Sequence, residues 1–292
     1  KDTLWLNVYY PEFEHAEIEA NLNKIYTLLH SDGDVDVLPF LKVDSIHFCT
    51  FGNSKPFRIR VRNILNDNYT NFYIKKADAS RIYGLELEEI LSPNRINFLL
   101  YKDTLIEEHI LGIPGDVFIE KHLDQCSPQE KAQIAKEFVK FNERCFVRLL
   151  GDMRSYNFVV DITPDIEGNQ YRIRAIDFDQ QSYEGRLKLY MPQYFKENNN
   201  LVFLGIESIT EKTMKQYQQE ERSIISHRVR LARHRLKELF DVSLKDEVAP
   251  LEKTLALGKE LAEYHQKKKF LKIKHMGKML KAHIYACLEN KK

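Results

Sequence analysis

The chain has 292 residues, 43% of them hydrophobic and 30% charged, which allows one two-lobed unit or two small domains with a sizeable core. Its 44 basic and 43 acidic residues nearly cancel, so neither a global basic field for nucleic acid nor an acidic tail is present.

Residues 3–10, TLWLNVYY, read as a strand. A helix follows from Pro11 to about Leu29, with Ile18, Leu22, Ile25, Tyr26 and Leu29 on one stripe, and Ser31-Asp32-Gly33-Asp34 ends it. From 44 to 76 the pattern is β. Asp44–Phe51 is one run and Gly52 to Pro56 is a turn. Phe57–Leu65 alternates Phe57, Ile59 and Val61 with Arg58, Arg60 and Arg62, as a half-buried strand does, and Asn71–Lys76 is a third strand. A helix over Ser80–Leu91 stops at Ser92-Pro93-Asn94. Ile96–Tyr101 and Thr104–Ile110 read as two more strands, and Gly112-Ile113-Pro114-Gly115 as a turn.

Ser127-Pro128-Gln129-Glu130 is a capping box with proline at the first helical position. The helix it opens runs to about Cys145, with Ile134, Phe138, Phe141 and Cys145 at helical spacing. Phe158-Val159-Val160 and Tyr171–Ile176 read as a hairpin pair. From 206 onward the pattern is helical: 211–240 with a break, 250–264 and 270–288. The basic run at 227–236 and Lys267-Lys268-Lys269 read as solvated helix faces rather than sites for an anionic partner.

The chemistry concentrates at Gly151-Asp152-Met153-Arg154-Ser155-Tyr156-Asn157 and at Ile176-Asp177-Phe178-Asp179. Asp152 lies five residues before Asn157, and Asp177 closes the second apolar run. Phosphoryl transfer from ATP needs such groups: one carboxylate to orient and deprotonate a hydroxyl, and an amide oxygen with a second carboxylate for Mg²⁺. The spacing matches the kinase catalytic loop, and Asp-Phe is how the metal-binding D-F-G begins. The plainer reading is that Asp152 and Asn157 shape a loop and Asp177 caps a strand.

These motifs resemble the protein-kinase-like superfamily, closest to the branch of aminoglycoside phosphotransferases and atypical small-molecule kinases. There, H-G-D-x-x-x-x-N is followed by a strand pair and I-D-F. The resemblance implies an α+β, two-lobed protein-kinase-like fold with an antiparallel-sheet N-lobe and a mainly helical C-lobe. Residues 1–43 would be an N-terminal extension, 44–110 the β-rich N-lobe and 111–292 the helical C-lobe with the catalytic loop. The implied roles are Asp152 as base, Arg154 as a cation at the transferred phosphate, and Asn157 and Asp177 as metal ligands. Lys75 of Phe-Tyr-Ile-Lys-Lys would anchor the nucleotide phosphates, paired with a Glu of the next helix. Glu86 is the first choice and Glu89 the next, since Ile82, Leu85, Glu86 and Glu89 share a helix face. Without the resemblance, Lys75 reads as an edge-strand lysine and the glutamates as a solvated face.

The chain departs from the family at several points. Leu150 replaces the His two before the Asp, Phe178 is followed by Asp179 rather than Gly, no A-P-E follows, and the phosphate loop has only Gly52. The implied function is ATP- and Mg²⁺-dependent phosphoryl transfer to a hydroxyl of a small molecule or protein. The alternatives are a nucleotide-binding pseudokinase scaffold and nucleotidyl transfer on the same fold. No nucleic-acid partner is expected.

Cys49, Cys126, Cys145 and Cys287 form no C-x-x-C pair and read as isolated thiols in a reducing compartment. The histidines show no metal spacing. No apolar stretch approaches the roughly 18–20 residues of a membrane span. The opening Lys-Asp-Thr has no signal-peptide pattern, so a cytoplasmic location is expected.

Overall fold

The computed structural model describes residues 4–50, 54–166 and 168–289. Gly52, the glycine of the expected phosphate loop, lies outside the described residues. The fold is α+β, with an antiparallel sheet in the N-terminal part and mostly helices in the C-terminal part. Two compact units form, Lys1–Asp78 with Ile96–His109, and Ala79–Arg95 with Ile110–Lys292. Segment 1–43 therefore belongs to the sheet unit, and the helix after Lys75 belongs to the second unit.

The first unit is a six-stranded antiparallel sheet in the order β1-β2-β3-β4-β6-β5. Its strands are β1 (Trp5–Asn7), β2 (Leu41–Cys49), β3 (Phe57–Asn63), β4 (Asn68–Lys76), β5 (Phe98–Tyr101) and β6 (Thr104–Glu108). Strand alternation sends Ile59, Val61 and Phe72 to one face, where helix α1 (Glu12–His30) covers them with Leu22 and Leu29. The stripe read from the sequence is thus the face that packs. Asn97 fixes the helix end by donating from Nδ2 to the Leu29 carbonyl at 3.2 Å. The opposite parity sends Arg58, Tyr73, Lys75 and Glu107 to the other face, since Arg58 pairs with Tyr73, and Tyr73 with Glu107.

The second unit begins with helix α2 (Ala79–Leu91) and contains a small sheet, β7 (Ile113–Pro114), β8 (Phe158–Asp165) and β9 (Gly168–Ala175). Around these lie α3 (Gly115–Lys121), α4 (Pro128–Arg148), α5 (Asn199–Ser208), α6 (Glu211–Leu231), α7 (Arg233–Ser243), α8 (Leu251–His265) and α9 (Met276–Leu288). Leu87, Phe146, Tyr190, Phe240, Phe270 and Ile284 are among its core residues.

Helix α4 starts as its sequence specifies. The Ser127 hydroxyl accepts from Glu130 N at 3.3 Å, and the Glu130 carboxylate accepts from Ser127 N at 2.9 Å. The same carboxylate accepts from the Tyr171 hydroxyl at 2.7 Å, so the cap also ties α4 to β9. These donors, led by Ser127 N, hold the Glu130 carboxyl down at about 2. The helix ends later than the sequence reading, at Arg148, where Leu149 takes a left-handed conformation (φ 54°).

One arginine of the basic run, Arg228, is engaged by a helix end rather than left as a solvated face. Arg228 donates to the Glu89 carbonyl at 2.6 Å and the Ile90 carbonyl at 3.1 Å, satisfying the C-terminal end of α2. Among the described residues no helix is long and apolar enough to cross a membrane.

Candidate active site

The β8–β9 hairpin explains how residues 20 apart in sequence meet. Phe158 pairs with Ala175, so the residues just outside the pair emerge at one end of the hairpin. These are Asn157 and Ile176, joined by the Ile176 N to Asn157 carbonyl hydrogen bond at 3.0 Å. Asp177 is the next residue. The strand lengths and register thus carry an amide and a carboxylate to one place.

Asp152 reaches the same place through the loop after α4. Its backbone is left-handed (φ 55°), a conformation that Asp tolerates better than most residues. Its N–H donates to the Leu189 carbonyl at 3.2 Å, and its carbonyl accepts from Arg154 N at 2.8 Å. Asn157 closes the loop, donating from Nδ2 to the Asp152 carbonyl at 2.8 Å and to Asp152 Oδ2 at 3.3 Å. With Nδ2 engaged this way, Asn157 Oδ1 has no hydrogen-bond partner among the described residues.

Arg154 donates from Nε to Asp152 Oδ1 at 2.8 Å and from Nη1 to Glu197 at 2.8 Å. These acceptors raise the guanidinium's pKa further. The Asp152 and Arg154 side chains are each a little over a third exposed, so the pair stands at a wet surface.

Asp177 is held from α2. Arg81 donates from Nη1 to Asp177 Oδ1 at 2.8 Å, and its Nη2 lies 3.7 Å from Asp179 Oδ2. The Arg81 side chain is 5% exposed, against 32% for Asp177. Asp177 Oδ1 also takes the Asp179 N–H at 3.4 Å, whereas Oδ2 has no hydrogen-bond partner among the described residues. Phe178 is buried beneath α2, where only Gly84 gives room: a Cβ there would lie 2.7 Å from Phe178 Cβ. Arg148, ion-paired with Glu88 of α2, lies over the Phe178 ring.

Gln181 and Ser182 lock this segment to the Asp152 loop. Ser182 N donates to the Leu149 carbonyl at 2.8 Å, and Leu150 bridges Gln181. The fully buried Gln181 side chain donates to the Arg148 carbonyl at 2.5 Å. The tie between the two motifs is therefore made by Gln181 and the backbone, with Leu150 bridging Gln181.

Lys75 and Glu86 do not have the partners expected from the sequence. Lys75 Nζ donates to Glu107 Oε2 at 2.6 Å, within the sheet unit. The pair is diagonal on neighbouring strands, Lys75 standing opposite Leu105 and Glu107 opposite Tyr73. Glu107 is 5% exposed. Glu86 instead accepts from Arg235 of α7 at 2.7 Å, and Glu89 accepts from the same guanidinium at 2.9 Å. The physical reason is parity and reach. Glu107 lies on the Lys75 face of the same sheet, and the glutamates of α2 are turned to the arginines of the C-terminal helices.

A second polar cluster, unforeseen in the sequence, joins His265, His283 and Cys287, whose ligand atoms lie within 4.8 Å of one another. His283 and Cys287 are one helical turn apart on α9. His283 Nε2 bonds the Phe146 carbonyl at 2.9 Å, which makes Nε2 the donor and leaves Nδ1 to accept from His265 Nε2 at 2.9 Å. Both nitrogens of this buried ring are thereby satisfied by protein groups.

The missed residues are Arg81, Glu107, Gln181 and Glu197. The one sequence signal for Gln181 was its place three residues after Phe178 in the D-F-D-Q-Q-S run.

No protein-family model and no curated protein sequence matches the chain. Among solved structures, an ethanolamine kinase of Plasmodium vivax is similar over 97% of this chain and 91% of its own, at 11% identity and a TM-score of 0.33.

Proposed function

We propose that the chain is a kinase-like phosphotransferase that moves the γ-phosphoryl group of Mg²⁺-bound ATP to a hydroxyl acceptor. The observation that carries this reading is the hairpin end, where register places Asn157 and Asp177 beside a loop that presents the Asp152 carboxylate. In the reaction the acceptor O–H gives its proton to Asp152. The acceptor oxygen bonds to the γ-phosphorus, the bond from that phosphorus to the β,γ-bridging oxygen breaks, and ADP leaves. Arg154, steadied by Asp152 and Glu197, supplies positive charge near the transferred group. Lys75, steadied by Glu107, is proposed to anchor the nucleotide phosphates.

The donor set fits a hard divalent cation. Asn157 Oδ1 and Asp177 Oδ2 are oxygens without a hydrogen-bond partner among the described residues, and Mg²⁺ takes oxygen ligands. Those two residues would hold it, and when bound it would neutralise charge on the phosphate oxygens. Protein-derived cations on both carboxylates, Arg154 on Asp152 and Arg81 on Asp177, favour a second reading, a pseudokinase scaffold.

The test is transfer of label from γ-labelled ATP to a pool of small-molecule and protein hydroxyl acceptors, with thermal shift by ATP measured with and without Mg²⁺. Mg²⁺-dependent stabilisation together with transfer supports the enzyme. Stabilisation without transfer supports the scaffold, and the lack of any nucleotide effect sinks both.

A further inference from the structure

Arg81 is a charge with no place in the chemistry above, and its position constrains the metal. It sits near the start of α2, in the second unit, with its side chain 5% exposed and its Nη1 2.8 Å from Asp177 Oδ1. Its Nη2 faces Asp179 at 3.7 Å. A guanidinium does not lose its proton in a protein, so the cation is permanent. It is also held in place. Gly84 brings α2 against Phe178, and Ser80 Oγ donates to the Gln181 carbonyl at 3.2 Å. Arg81 cannot leave Asp177 without moving the helix that packs on this segment.

Phosphoryl-transfer centres commonly use two divalent cations, and a carboxylate that serves both does so most readily when neither oxygen is held by another cation. Here one oxygen of Asp177 is taken by Arg81, and only Oδ2 is open among the described residues. A second divalent ion at Oδ1 would have to crowd against a hydrogen-bonded guanidinium of like charge. We propose that Arg81 is a built-in cation that takes the place of one of the two metal ions, so that the nucleotide complex holds a single divalent ion, on Asn157 and Asp177. The inference rests on the phosphotransferase reading and makes the Asp179 that replaces the family's Gly part of the same device. The extra carboxylate helps to retain the arginine.

The experiment counts bound Mn²⁺ by the loss of the free-ion electron paramagnetic resonance signal, titrated into full-length protein with a non-hydrolysable ATP analogue. Wild type should bind one Mn²⁺ per nucleotide. Arg81→Met should admit a second ion and bind the first roughly tenfold or more tightly, because a neighbouring positive charge is gone. Arg81→Lys, which keeps the charge, should stay at one. Two ions in wild type would overturn the inference while leaving the phosphotransferase reading intact, and this count needs no variant to fold. Nucleotide bound with no Mn²⁺ would overturn it too, as would an Arg81→Met protein with unchanged count and affinity. If wild type binds neither nucleotide nor nucleotide-dependent Mn²⁺, the phosphotransferase reading itself fails.

Discussion

At the scale of single residues, Asp152 and His283 show opposite uses of a titratable group. Asp152 stands at a wet surface with its carboxylate aimed by Arg154 and Asn157. Asp152→Asn keeps the shape but removes the proposed proton acceptor. It should lower kcat by roughly 100-fold or more with ATP affinity little changed. Single-turnover transfer measures this, and equal rates in variant and wild type would remove Asp152 from the chemistry. His283 is fully buried, and desolvation lowers its pKa from 6.5 to about 3. The folded state therefore keeps the ring neutral where the unfolded chain already binds a proton. Its stabilisation is complete above the unfolded pKa and is lost as pH falls from 6.5 toward 3. Between pH 7 and 5 this one group should remove about 2 kcal/mol. Urea unfolding of wild type and His283→Gln at both pH values tests it, and the wild-type drop should exceed that of the variant by about this amount. Parallel drops would mean that the acid sensitivity lies elsewhere.

At the scale of elements, what could be read from the sequence was what neighbours in sequence determine. The Ser127–Glu130 box, the β3 alternation and the hairpin between two acidic motifs are all local patterns, and each appears in the structure. Arg81 on Asp177 is 96 residues from its partner, and Arg228 on the α2 carbonyls is about 140 from its own. Spacing within a motif carries no information about such pairs, because the packing of whole helices sets them. The clearest case is α2. Its periodicity shows which residues are apolar, but not that Gly84 must be bare for Phe178 to fit. A methyl at 84 would meet Phe178 Cβ at 2.7 Å, so Gly84→Ala should push α2 off the 177–182 segment and cost about 1–3 kcal/mol. The outcome is unusual for an exchange that ordinarily favours a helix by nearly 1 kcal/mol. Thermal unfolding gives the sign directly: a variant as stable as wild type would show that α2 and Phe178 pack less closely than described.

At the scale of the whole molecule, the expected charge pairs are replaced by pairs within each compact unit. Lys75 is neutralised by Glu107 of its own sheet, and Glu86 by Arg235 of the helical unit. Each of these two pairs lies within one unit, the first buried and the second more exposed. For Lys75 this means that loss of the proposed nucleotide anchor and loss of stability are mixed in any single substitution. The Lys75 and Glu107 side chains are 12% and 7% exposed, and removing the lysine leaves a buried carboxylate without its ion-pair partner. Breaking such a pair costs about 3–5 kcal/mol, whereas replacing both partners with apolar groups is often neutral. A double-mutant cycle separates the two roles. Lys75→Met should lower both stability and ATP affinity. Lys75→Met with Glu107→Leu should recover most of the stability, and if Lys75 anchors the phosphates it should not recover ATP affinity. Glu107→Leu alone should be destabilised with the lysine left in place to meet nucleotide. Denaturant midpoints and fluorescent-nucleotide titrations on the four proteins read both quantities. If the double variant binds ATP as wild type does, Lys75 is a structural partner of Glu107 and the nucleotide is held by other groups.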